Sequence, residues 1–241
     1  MSVGAWCTAR RNVAAHPPDA SLRRELIRAC RRLDAKGHLA GAEGNLSAWL
    51  GPGRLIVTPA GRCKADLSAA DLIATDMAGR PARPGAIPSS EMAMHVAIYR
   101  ARPDVRAVVH AHPVAATAFA AAGTSFPEDV LAEVAGVIGP VPSVPYRAPG
   151  TGALATAVAS ALEGANVALL VSHGAVAVGP TVAVALQRME SLEQAARIIV
   201  AARVLGTVGK LKAAELRALR HAWRAGAGRG LVLRPARSRR N

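Results

Sequence analysis

Two histidines one residue apart, His110 and His112, stand inside the apolar run "VRAVVHAHPVAATAF", and a third, His173, ends the run "NVALLVSH" just before Gly174. A strand buried on both faces reads as an unbroken hydrophobic run, so imidazoles within one need something to bind. Side chains alternate faces along a strand, which sends His110 and His112 the same way, about 6.6 Å apart at a rise of about 3.3 Å per residue. Two imidazoles so placed can converge on one ion. Zinc–nitrogen bonds of about 2.0–2.1 Å, with three protein ligands and an open fourth position, are the usual form of a catalytic zinc site. His173 is the candidate for the third ligand, since Gly174 lets the backbone turn tightly beside it. The competing reading is a hydrogen-bonded histidine pair of purely structural use.

Glu91 follows Ser89-Ser90 in "PSSEMAMHVAIYRARPD". A carboxylate there can simply compensate a helix dipole. Alternatively, two hydroxyls and free backbone N–H groups at a helix start make an anion site, with Glu91 between a bound phosphate and the metal. "EGNLS" and "TPAGRCK" add the Asn45 amide, glycines and Lys64 to such a cradle. His95, four residues after Glu91, shares its helix face; it reads as a packing residue, with a hydrogen bond that supports a metal ligand from behind as the alternative. His16, His38 and His221 lie in polar or terminal stretches and read as surface residues.

The elements that must position these groups alternate between the two periods. Leu22, Leu26, Cys30 and Leu33 recur at helical spacing between Asp19, a candidate N-cap, and Gly37, a candidate C-cap. "GNLSAWLGPGRLIVTPAG" predicts two strands joined at Gly51-Pro52-Gly53, and "DLIATDMAGRP" a third that ends in a turn. Ser89 or Ser90 caps a helix to about Arg102, and the histidine strand follows. "PYRAPGTG" reads as a loop, and "NVALLVSHGAVAVG" as two strands meeting at His173-Gly174. A long helix from about Thr181 to Leu205 closes the core. These elements predict an α/β fold, one domain with a mixed sheet covered by helices. Residues 19–206 form it, residues 1–18 are an N-terminal extension, and residues 207–241 are a basic C-terminal helix and tail.

The chain has 241 residues with 51% hydrophobic content, enough for a substantial core. Its net charge of +14 invites a nucleic-acid reading, but residues 37–202 carry eleven basic against twelve acidic groups. The excess therefore belongs to the ends, where aromatics for base stacking are scarce, and nucleic acid is not the expected partner. No apolar run reaches the roughly 20 residues of a membrane span and the start lacks the apolar core of a secretion signal, so a cytoplasmic protein without membrane contact is expected. Cys7, Cys30 and Cys63 make an odd number without CxxC spacing and read as packing residues rather than disulfides or metal ligands.

In order, "GNLS", "VTPAG", "PSSE", "VVHAHP", "PYRAPGT" and "LLVSHG" resemble the class II aldolase and adducin family over about residues 20–205. The resemblance implies an α/β/α sandwich around a mixed, mainly antiparallel sheet, assembled as a homotetramer. It implies Zn2+ held by His110, His112, His173 and Glu91, with Glu91 also the catalytic base. It places Gly44, Asn45, Gly61, Ser89 and Ser90 on the substrate phosphate. The implied activity is that of a lyase, retro-aldol cleavage or its reverse on a small ketose or ketose phosphate through an enediolate. Epimerisation, decarboxylation or dehydration of a sugar phosphate or sugar acid is the alternative within the family, and an adducin-like scaffold the non-catalytic one. Glutamate at position 91, where the epimerase branch carries aspartate, favours aldol cleavage. Two departures stand out. Threonines that help hold phosphate in the family's aldolases correspond to Ala42 and Ala60, and the place of a proton-donating tyrosine from a neighbouring subunit falls near Leu131. Tyr99 and Tyr146, the chain's only tyrosines, are not evident replacements.

Overall fold

The computed structural model describes residues 19–224. The expectations for residues 1–18, Cys7, His16 and the last basic tail lie outside them. Seven strands form one sheet in the order β3-β2-β1-β4-β7-β6-β5. They are β1 (Asn45–Gly51), β2 (Arg54–Val57), β3 (Ile73–Asp76), β4 (Ala107–Ala111), β5 (Ser143–Val144), β6 (Val167–Leu170) and β7 (Gly174–Gly179). Every pairing is antiparallel except that of the short β5 with β6. The expected mixed, mainly antiparallel sheet is therefore what forms.

Helices cover both faces. On one side α1 (Asp19–Ala35), α3 (Val114–Ala121) and α5 (Val182–Leu205) bury Leu26, Leu33, Phe119, Met189 and Leu192 against Leu46, Ile56, Val109 and Ala177 of the sheet. On the other, α2 (Met92–Ala101) and α4 (Gly152–Ala161) bury Met94, Ile98, Leu154 and Val158 against Leu55, Val108, Ala168 and Val176. The alternation of Val108 and Val109 between the two cores is the period of two of a strand buried on both faces. A further helix, α6 (Ala213–Arg224), packs the Trp223 ring against Gly136, leaving no room there for a side chain.

Several boundaries differ from the sequence expectation, each for a local reason. Neither Ser89 nor Ser90 caps α2. Glu91 is the N-cap residue and makes no side-chain cap bond, while the Ser89 hydroxyl accepts from the Glu91 N–H at 3.3 Å. His112 lies one residue past β4, where its N–H leaves the ladder for the His38 carbonyl at 3.0 Å. His173 sits in the tight β6–β7 turn rather than on a strand, after Ser172 at φ 55°. His38 is buried, not a surface residue, and Cys30 packs in the core.

Candidate active site

The central strands β1, β4 and β7 bring the histidines together. Register pairs Asn45 with His110 and Ala111 with Ala175, so one end of the sheet carries Asn45, His110, His112 and the turn holding His173. Gly174 makes the close approach possible, because a Cβ there would meet the His112 ring at 2.5 Å and the Ala111 carbonyl at 2.7 Å. Gly44 does the same on the other side: at φ 65°, its missing Cβ leaves room for Leu39 and for the His110 carbonyl, 2.7 Å from where that Cβ would lie.

The His110 Nε2 stands 3.3 Å from both the His173 Nε2 and the His112 Nε2. The ligand atoms of the three residues all fall within 4.8 Å of one another. Their far nitrogens show which atoms carry protons. The His110 Nδ1–H donates to the Ala175 carbonyl at 3.0 Å, and the His112 Nδ1–H to the Glu43 carboxylate at 3.0 Å. In the neutral rings of His110 and His112 each Nε2 is then a bare lone pair facing the other, an arrangement that a positive charge between them would relieve. A tetrahedron of ligands with zinc–nitrogen bonds of about 2.0–2.1 Å has edges of about 3.3–3.4 Å, matching the observed spacing.

Glu91 closes the cluster. Its Oε2 lies 3.0 Å from the His110 Nε2 and its Oε1 lies 3.6 Å from the His173 Nε2. Burial alone would raise its pKa, but its contacts with His110, the Asn45 amide and His173 outweigh burial and hold it well below the usual carboxylate range. Burial pushes His173 down to about 4 and lowers His112 as well. Neutral imidazoles beside an ionised carboxylate are the protonation states in which all four groups can ligate a cation. Among the described residues, the buried Glu91 Oε1 and His173 Nδ1 have no hydrogen-bond partner. The donor set therefore fits a divalent metal ion.

Of the remaining expected residues, Asn45 and Ser89 bond directly to Glu91. Asn45 donates from its Nδ2 to the Glu91 Oε2 at 2.8 Å. The loop of Thr58 to Gly61 runs beside the Ser89-Ser90 segment, tied by Ser89 N–H to Thr58 carbonyl at 3.2 Å and Ala60 N–H to Ile87 carbonyl at 3.1 Å. Gly61, at φ 63° with open space where a Cβ would be, and Ser90 are exposed, whereas Ser89 is buried. Lys64 is turned away from any cradle. Its buried ammonium donates to the Ala42 and Arg62 carbonyls at 2.6 and 2.7 Å, bracing the two loops from beneath. Leu131 lines a cleft of about 740 Å3 between α1 and α5, together with His38, Glu133 and Glu193. None of the three clustered histidines lines that cleft, so the convergent groups rather than cavity size mark the site.

A sequence model described as "Class II Aldolase and Adducin N-terminal domain" matches residues 24–200. The chain belongs to the class II aldolase and adducin family. It is 33% identical over 181 residues to a 3-oxo-tetronate 4-phosphate decarboxylase of Pectobacterium atrosepticum, covering 73% of this chain and 83% of that one. It is 34% identical over 161 residues to a 5-methylthioribulose-1-phosphate/5-deoxyribulose-1-phosphate aldolase of Escherichia coli, covering 66% of this chain and 74% of the relative. Among solved structures, an L-fuculose 1-phosphate aldolase superposes with a TM-score of 0.79 at 28% identity, covering 85% of this chain and 97% of that one. No helix among the described residues is long and apolar enough to cross a membrane.

Sequence reasoning overlooked Glu43, which orients the His112 ring through a contact that no local spacing announces. His95 is buried and bonded through both nitrogens, to Ser47 and to Asn45, so of its two sequence readings the favoured one, plain packing, gives way to the hydrogen-bonded one. A signal for it existed in "NLS" and "EMAMHVAIY". Residues two apart on a strand advance about 6.6 Å and residues four apart on a helix about 6.0 Å, so Asn45 and Ser47 can keep step with Glu91, His95 and Tyr99.

Proposed function

We propose that this chain is a zinc-dependent lyase that cleaves a carbon–carbon bond of a small ketose or ketose phosphate in the retro-aldol direction, or forms it in reverse. The observation that carries the reading is the convergence of three imidazole Nε2 atoms and one carboxylate, with the His110 Nε2 3.3 Å from the other two and 3.0 Å from Glu91 Oε2. His110, His112, His173 and Glu91 would hold the metal, which when bound polarises a substrate carbonyl and stabilises the negative charge left as the bond breaks. Neutral histidines add no negative charge to offset that of the ion. Glu91 Oε1, without a hydrogen-bond partner among the described residues, is the atom that takes the hydroxyl proton of the substrate and returns it to carbon. Gly61, Ser89 and Ser90, with the Gly44-Asn45 backbone, are the proposed phosphate cradle. The working form is proposed to be a cytoplasmic homotetramer.

A second reading is decarboxylation of a phosphorylated 3-oxo sugar acid, favoured by the similarity to the 3-oxo-tetronate 4-phosphate decarboxylase. Decarboxylation leaves its electron pair on the carbon next to the same metal-held carbonyl and needs no base to start it. The two readings separate by product. Ketose phosphates and 3-oxo acid phosphates are incubated with metal-replete protein, and aldehyde and carbon dioxide are measured. Aldehyde release that falls by about 10²-fold in metal-replete Glu91→Gln supports the aldolase and its base. Carbon dioxide without aldehyde selects the second reading, and wild-type turnover by the variant removes Glu91 from the mechanism.

A further inference from the structure

One hydrogen-bonded chain of buried side chains ends on Glu91. Tyr99 Oη meets Ser47 Oγ at 2.9 Å, Ser47 Oγ meets His95 Nδ1 at 2.6 Å, His95 Nε2 meets Asn45 Oδ1 at 2.5 Å, and Asn45 Nδ2 meets Glu91 Oε2 at 2.8 Å. All five residues are buried. The chain crosses the interface between β1 and α2, two alternate residues of the strand facing three residues at helical spacing.

Its proton positions follow from one end. An ionised Glu91 can only accept, so Asn45 must turn its NH2 toward the carboxylate and its carbonyl toward His95. His95 must then carry its proton on Nε2. The bare Nδ1 left behind must receive the Ser47 hydroxyl proton. Ser47, having spent its only proton, can only accept from Tyr99. Every donor therefore points along the chain toward Glu91, and bonds aligned head to tail in a dry interior strengthen one another. The burial that pushes His95 down to about 3 keeps the ring neutral and this pattern intact.

We propose that His95, Ser47 and Tyr99, acting through Asn45, are positioning residues that lock Glu91 with Oε2 held and Oε1 presented to the metal and substrate. This rests on the reading of Glu91 as ligand and base. Without the His95 donor, Asn45 is free to flip and set its carbonyl against the carboxylate, turning an attraction into a repulsion at the metal's fourth ligand. A neutral packing histidine would have no preferred tautomer and no effect on the metal.

The test uses zinc-loaded full-length protein with nitrogen-15 labelled histidine. The signal assigned to His95 by its loss in His95→Gln should show Nε2–H and a bare Nδ1, and the opposite tautomer overturns the proposal. Zinc affinity, measured by competition with a chromophoric chelator, should fall about 10-fold or more in His95→Leu, the usual cost of losing an outer-shell partner. It should stay within about threefold of wild type in His95→Gln, whose amide N–H can replace Nε2–H as donor to Asn45. Equal affinities in folded His95→Leu and wild type overturn the proposal. If His95→Leu fails to fold, the wild-type tautomer still decides. The expected tautomer and affinities without turnover of any sugar phosphate would support the chain while removing the proposed reaction.

Discussion

Acidifying metal-free protein should expose the cost of keeping His95 neutral. The ring is wholly buried between β1 and α2, and burial, partly opposed by the Glu91 charge, pushes it down to about 3. In the unfolded chain the same imidazole titrates near about 6.5. Between these values the unfolded state binds a proton that the folded state refuses, so stability falls as the pH drops from 6.5 towards 3 and is independent of this group above 6.5. The slope is about 1.4 kcal/mol per pH unit, so going from pH 7 to pH 5 should cost about 2 kcal/mol through His95 alone. His38, His112 and His173 are also held down by burial and add to the wild-type slope. The measurement is therefore a comparison. Urea unfolding of metal-free wild type and His95→Gln at pH 7, 6 and 5 should show the wild type losing about 2 kcal/mol more than the variant across that range. Parallel losses in the two proteins would mean that His95 is protonated in the fold or reaches solvent, and the inferred proton pattern would fall with it.

Purified protein should hold close to one divalent ion per chain, and His110→Ala with His112→Ala should remove most of it, as read by elemental analysis; near-stoichiometric metal in the double variant would end the metal reading. Gly174→Ala sets a methyl against the His112 ring and the Ala111 carbonyl; overpacking of this kind costs about 1–3 kcal/mol, and both thermal unfolding and zinc affinity should register it. The exposed apolar side chains Ile198, Val200, Val204 and Leu205 on the outer half of α5 are expected to be covered by other copies of the chain. Light scattering should then report an oligomer, and a fully active monomer would refute this.

Periodicity alone determined much of this protein. The apolar run in "VRAVVHAHP", the Gly51-Pro52-Gly53 hairpin and the long helix after Thr181 each answer to local backbone chemistry, and the structure returns them within a few residues. Chemical type plus spacing also singled out His110, His112 and His173, because imidazoles are out of place in or at the ends of apolar runs meant for a dry core, although only His110 proves to lie on a strand. Tertiary structure decided everything that depends on the far side of a ring or carboxylate. His112 faces Glu43, 69 residues away in sequence, and Lys64 turns inward to the Ala42 carbonyl, because loop packing and not local propensity chose those partners. Glu91 illustrates the division most clearly. Its position at the start of α2 was legible as a candidate dipole residue or ligand, but whether its carboxylate would turn to the helix N–H groups or to the histidines was not. The register that sets Asn45 opposite His110 made that choice, because it places an amide donor and the histidine cluster within reach of one carboxylate. Such a register is a property of the assembled sheet, and the stretch around Glu91 carries no record of it.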